Sequence, residues 1–283
     1  MSNRQNPDNA IHSSFWQEIP EGDNPFSAAI CRCGGYDVYG DLLDKVTWAE
    51  NLFLLFHGEL PSPRQTQCLN GLAVALANPG PRDYSVQAAM AAGAGGSTAA
   101  SCLMAALAVG AGNFAGAREV YQAITFWEQC KRDLPQWRLH LRKWEDTCAT
   151  DTDMTDIWPA MEHPPGFAPY GKSCSTPVRQ TLDYLAQIQT EGNLYWLQQH
   201  RRALEALTRQ PLALSGVAAA ALTDLGFSSQ QGELLYLLLR LPGAAAHSIE
   251  QHWRGSRDFP FYREGIRLTN DPGPPAEPQA DTP

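Results

Sequence analysis

Val46-Thr47-Trp48-Ala49-Glu50-Asn51-Leu52-Phe53-Leu54-Leu55-Phe56-His57-Gly58-Glu59-Leu60-Pro61-Ser62 is the stretch that decides the fold class. Val46, Ala49, Leu52, Phe53 and Phe56 fall on one face at helical spacing. Thr47 stands as the cap, with Glu50 three residues on in a capping-box arrangement. Gly58 and Pro61 stop the helix. The same pattern continues outward. Helices are predicted over Pro63 to Ala77, Ser85 to Ala92, Thr98 to Val109 and Ala117 to Lys131. Further ones follow over Pro177 to Gln189, Leu194 to Thr208, Val217 to Leu225, Gln230 to Leu239 and Ala244 to Trp253. No convincing strand alternation competes with them, so the predicted fold is all-α. Ala28 to Tyr39 leaves room for short hairpin strands. Residues 1–25 are polar and proline-bearing and are read as an arm, and residues 266–283 as a disordered tail. Residues 133–165 mix Trp137, Trp144 and Trp158 with many charges; they are read as an irregular insertion with partial helix, a packing lid rather than a ligand box.

The 283 residues are 43% apolar, enough to fill a sizeable core. Formal net charge is −9 and no dense Lys/Arg block occurs, which argues against nucleic acid or an anionic membrane as the main partner. Seven cysteines at irregular spacing, with no basic-then-apolar opening segment, lead us to expect a reduced, cytoplasmic setting. Cys31-x-Cys33 lacks a second ligand pair, so no metal site is predicted. Tyr84 to Ala117 carries no charge, but it is built of small residues and broken by Gly93, Gly95 and Gly96. A membrane span needs about 20 strongly apolar residues in continuity. Two buried, closely packed helices are expected there instead.

Six local motifs carry a resemblance. They are Gly35-Tyr36-Asp37-Val38-Tyr39-Gly40-Asp41-Leu42-Leu43, the Gly58-Glu59-Leu60-Pro61 ending, and Gly112-Asn113-Phe114-Ala115-Gly116-Ala117-Arg118-Glu119. Gly166-Phe167-Ala168-Pro169, Pro211-Leu212-Ala213-Leu214-Ser215-Gly216 with Asp224-Leu225-Gly226-Phe227, and Arg240-Leu241-Pro242-Gly243 with His247 follow in order. Together they resemble the citrate synthase and citryl-CoA lyase family. The resemblance implies a large helical domain, residues 26–114 and 216–265, interrupted by a smaller helical one, residues 115–215, over an active-site cleft. It also implies dimerisation through packed helices.

Joining an acyl-CoA to a keto acid, or reversing that step, needs a carboxylate base near the carbon beside the thioester. It also needs donors that stabilise the enolate and polarise the acceptor carbonyl. The family uses one Asp and two His. By the motifs, Phe114 and Pro169 stand at the histidine positions and Ser215 at the aspartate, so no confident catalytic residue is assigned. Some lyase relatives also carry Phe at the first position. The family's substrate arginine is replaced where Thr176-Pro177-Val178 stands. Arg240 is retained, as a carboxylate ligand or a structural ion-pair residue. His247 is weighed as a proton donor against a core or hinge histidine. Lys172 and Arg179 are candidates for CoA phosphates. His163 is expected as an exposed loop histidine rather than a cleft residue, Asp224 as a helix end rather than a relocated base, and Tyr170 and Cys174 as packing.

Three functions follow. The first is a pseudoenzyme or non-catalytic subunit, whose centre has lost its proton-handling groups, forming a homodimer or a heteromer with an active relative. The second is an acyl-CoA-dependent carbon–carbon bond synthase or lyase with a rebuilt site. The third is a carboxylate-ligand sensor acting through Arg240. No permanently bound cofactor is expected; a CoA thioester is the expected substrate or ligand.

Overall fold

A computed structural model describes residues 13–150 and 163–259. It opens with a small antiparallel sheet of β1 (Trp16–Pro20), β2 (Ala28–Cys33) and β3 (Tyr36–Asp37), in that order. The hairpin space between Ala28 and Tyr39 is therefore filled. The region read as an arm supplies β1, paired with β2 from Trp16↔Cys33 to Pro20↔Ala28. Its two prolines near the strand concealed it, because Pro20 ends the strand at an irregularity of the register, where a missing N–H is tolerated.

Ten α-helices follow among the described residues: α1 (Trp48–His57), α2 (Pro63–Leu76), α3 (Tyr84–Ala94), α4 (Ala99–Gly110), α5 (Ala117–Cys130), α6 (Leu134–Thr150), α7 (Thr176–Ile188), α8 (Asn193–Thr208), α9 (Leu214–Asp224) and α10 (Ser229–Arg254). Local chemistry starts many of them. Thr47 with Glu50, Ser62 with Gln65, and Ser228 with Gln231 form complete capping boxes. Gly58 ends α1 in the left-handed conformation.

Two helices differ from expectation. The charged stretch after Asp133 is a regular 17-residue helix, α6, as far as Thr150. Leu134, Trp137, Leu141 and Trp144 recur at helical spacing and pack into the main core, where Trp137 lies edge-on to Trp127 at 4.8 Å. Trp158 lies outside the described residues. The two helices expected on either side of Pro242 are one, α10. Pro242 faces solvent, and the next N–H, from Gly243, donates to the carbonyl of Ala77 at 2.7 Å. Packing of α10 on α3, α4 and α5 keeps it continuous through a residue that costs an isolated helix about 3 kcal/mol.

The main core is one continuous cluster drawn from α1, α2 and α5 to α10. At its centre α9 is buried from Ser215 to Leu222. Four consecutive alanines, Ala218 to Ala221, let α5 lie close against it. The charge-free segment forms α3 and α4, which pack on each other and on α10. They are buried on one face only: Met104 is 60% exposed and Val109 44%, so the expectation of two buried helices holds for half of each. Among the described residues no helix is long and apolar enough to cross a membrane.

Candidate functional site

Three chain segments meet where α5 and α9 begin. The first is the loop 111–116 that leads into α5. The second is the segment 163–171. The third is the N-terminus of α9. Phe167 pairs with Leu212 across an isolated bridge, Ala168 N–H donates to Pro211 O at 2.8 Å, and Ala213 N–H donates to Gly166 O at 2.9 Å. Gly166 and Gly216 allow this approach: a Cβ on Gly216 would lie 2.4 Å from the Gly166 oxygen. Gly166 also has φ +88°, a left-handed conformation suited to glycine.

Glu119, in the first turn of α5, ties the segments together. It is 1% exposed. Its Oε1 accepts the Gly166 N–H at 2.9 Å and the Ser215 hydroxyl at 2.6 Å; its Oε2 accepts the Ala115 N–H at 2.7 Å. The imidazole Nε2 of His163 stands 3.6 Å from Oε2. Ala115 takes a left-handed φ of 53°, which costs a non-glycine residue roughly 1 kcal/mol or more. Its carbonyl is braced by Arg240 Nη1 at 2.9 Å.

These groups border a cavity of about 660 Å³. Phe114, Phe167, Pro169, Tyr170, Tyr84 and Val109 give it mainly apolar walls; Glu119, His163, Asn113 and Ser215 add polar ones, and among the described residues no Lys or Arg lines it. Phe114, Pro169 and Ser215, read from separate motifs, are thus brought to one space. His163 is not an exposed loop residue: it is 1% exposed, with its ring 5.7 Å from that of Phe114. The expectation that this hollow holds no proton-handling group is overturned, because an acid and an imidazole line it together. The cause is tertiary. Burial of residues 163–167 under the α9 N-terminus draws His163 inward. Glu119 was passed over as the last letter of a motif, although it is the first acidic residue after the charge-free run.

A second hollow of about 480 Å³ shares Gly171 with the first. Lys172, Arg179, Arg201, Arg202 and Arg209 line it, with Glu205 as its only acid among the described residues. Arg201 pairs with Glu205 at 2.7 Å, and Arg179 Nη2 donates to Thr176 Oγ1 at 3.0 Å. Beyond the Arg201–Glu205 pair, four of the five cations face no acid of the hollow, an arrangement suited to a polyanion. Lys172 and Arg179 lie together here as candidates; Arg201, Arg202 and Arg209 were missed, because α8 places them by folding. Cys174 lines the same hollow, with burial as the main cause that raises its thiol above the ordinary range.

Arg240 does not line the cavity. Its guanidinium is buried, bonded to the Asp83 carboxylate and stacked 4.7 Å over the Tyr236 ring. His247 lies elsewhere, between Asn78 Oδ1 at 3.1 Å and Glu250 at 3.4 Å. Asp224 accepts the N–H groups of Asn193 and Leu194, capping α8 from another element.

No protein-family model and no curated protein matches the sequence. Solved structures do match. The citryl-CoA lyase of Hydrogenobacter thermophilus superposes with a TM-score of 0.73 at 19% identity, over 95% of this chain and 98% of that one. This chain has the citryl-CoA lyase fold. The ATP citrate lyase of Methanothrix soehngenii, solved in complex with citrate and coenzyme A, matches with a TM-score of 0.69 at 18% identity, over 93% of this chain and 43% of its own. The citrate synthase of Thermotoga maritima matches at 0.57 and 14%, over 80% of this chain and 59% of its own. The citryl-CoA lyase-like helical architecture expected from the motifs is therefore present.

Proposed function

We propose that this chain is a strongly altered member of the citrate synthase and citryl-CoA lyase family. It binds an acyl-CoA thioester and is a pseudoenzyme toward the family's carbon–carbon chemistry. One observation carries the reading: a multiply cationic hollow adjoins an apolar cavity at Gly171. Phosphates suit the first chamber and an acyl chain the second. Phe114 and Pro169 wall the cavity where the family would have proton donors, and Ser215 stands where it would have its base. Neither Phe nor Pro side chains can donate a proton; the acid and imidazole that do line the cavity, Glu119 and His163, come from other positions, and Glu119 is already engaged by Ala115, Gly166 and Ser215. Losing acid–base groups from the family's positions removes a factor of about 10² to 10⁴ each.

Coenzyme A should raise the melting temperature, since a ligand of the native state stabilises it by mass action. Arg179→Glu with Arg202→Glu should weaken that effect about tenfold or more, and salt should weaken it further. An unchanged affinity in that double variant would remove the basic hollow from the reading. Appearance of a condensed or cleaved carbon–carbon product, from the chain with acetyl-CoA and a keto acid, would end the pseudoenzyme assignment. It would favour instead a rebuilt synthase or lyase, for which Glu119 and His163 supply an acid and an imidazole. The carboxylate-sensor reading draws no support from Arg240, whose guanidinium is already taken by Asp83.

The chain is also proposed to pair with a second chain of this fold, a copy or an active relative. Leu234, Leu238 and Ile249 on α10 and Met104 and Val109 on α4 remain exposed. Helices α4 and α10 pack against each other, so these apolar side chains belong to adjoining elements.

A further inference from the structure

We propose that Ser215 is an acyl-accepting nucleophile and that the cleft hydrolyses CoA thioesters of uncharged acyl groups. The inference rests on the acyl-CoA reading of the cleft and adds an activity to it. The hydroxyl of Ser215 is held 2.6 Å from Glu119 Oε1, in a site where both residues are almost fully buried. A carboxylate already accepting the hydroxyl hydrogen is placed to take its proton as the oxygen attacks. Glu119 is held in place by the N–H groups of Ala115 and Gly166, so it needs no reorientation at that moment. Ser215 is the second residue of α9, an 11-residue helix with no side-chain cap bond. The N–H groups of that first turn have no acceptor within the helix. They lie beside the nucleophile, where negative charge on a thioester oxygen would develop. Two polar atoms of the cavity residues also await partners. His163 Nδ1 and Asn113 Oδ1 are buried without a hydrogen bond among the described residues, a state that costs about 1–3 kcal/mol per group unless a ligand or water supplies one.

The steps balance. Ser215 Oγ forms a bond to the thioester carbonyl carbon as Glu119 takes its proton. The carbon–sulfur bond breaks, and the thiolate leaves with that proton as free CoA. Water then attacks the serine ester, giving its proton to Glu119. The carboxylic acid departs as Ser215 recovers its hydrogen. No oxidation or reduction occurs, and water is the only co-reactant. Selectivity follows from the walls. Among the described residues no Lys or Arg lines the cavity, so a carboxylate-bearing acyl group would be desolvated there without a counter-charge.

The test uses the full chain with acetyl-, hexanoyl- and succinyl-CoA, following thiol release and the intact protein mass, with CoA binding measured in parallel. Acetyl- or hexanoyl-CoA should release thiol and leave an acyl adduct mapped to Ser215. Succinyl-CoA should be slower by about tenfold or more. Ser215→Ala should bind CoA as the parent does and lose release by about 10² to 10⁴. Ser215→Cys should trap the acyl group as a stable adduct. A parent chain that binds CoA without releasing thiol, or Ser215→Ala turning over at the parent rate, overturns the proposal and leaves the binding reading intact. Absence of any CoA binding overturns the binding reading and this proposal with it.

Discussion

Glu119 uses one carboxylate to hold two backbone N–H groups and a hydroxyl from three separate segments. Charge-assisted bonds of this kind are worth about 1.5–3 kcal/mol each. Glu119→Gln keeps the shape but offers one acceptor oxygen where two are used, so it should destabilise the fold by about 2 kcal/mol or more in urea unfolding. His57 is another polar residue of consequence, half-buried with its Nε2 inside. Its ring stacks on Phe53 at 4.1 Å and leans on Phe227 at 4.5 Å, and its Nε2 has no hydrogen-bond partner among the described residues. Burial, the main cause, holds its pKa below the usual histidine value, and burial does the same at His140. Around pH 6.5 and below, the unfolded chain therefore binds more protons than the folded one. Stability should be full above that pH and fall as pH drops through the depressed folded values. The midpoint in urea should be lower at pH 5.5 than at 7.5, and His57→Phe should make that difference smaller.

Helix crossings decide which small residues cannot change. A methyl at Gly216 would press on the Gly166 oxygen and, at 2.9 Å, on Leu212. Gly216→Ala should cost about 1–3 kcal/mol and part α9 from the 163–171 segment. Denaturant titration would show the first effect, and lost protection of the Ala168 and Ala213 amides in hydrogen exchange the second. Gly243, where α10 crosses the end of α2, is under the same constraint: its added methyl would stand 2.5 Å from the Ala77 oxygen. Burial also silences thiols on these helices. Cys68 on α2 is pushed up to about 12 and Cys130 on α5 to about 11, with burial the leading cause in each. Iodoacetamide at pH 8 should label neither until the chain is unfolded.

At the scale of the molecule, the two chambers and the exposed face of α4 and α10 bear on different behaviours and are separable. Leu238→Glu lies on that face, half exposed, and should lower the apparent mass in size exclusion without altering CoA binding. A mass unchanged by that variant would count against pairing through these helices.

Helix starts, stops and the helical class were legible in the sequence because their chemistry is local. Thr47 and Glu50 are three residues apart, and Gly58 needs only its own φ. Phe114, Pro169 and Ser215 could be marked from short motifs, and Lys172 and Arg179 from their neighbours. Long-range placement was not legible. The serine and its carboxylate are 96 positions apart, and nothing near His163 announces that it is buried. The continuity of α10 through Pro242 and the burial of the charged helix α6 likewise depend on surfaces that exist only after packing. Local hydrogen bonding and φ preferences act within a few residues, so the chain's order determined its helices. Desolvation and close contact act between segments remote in the chain, so only the tertiary structure decided which side chains share the cleft.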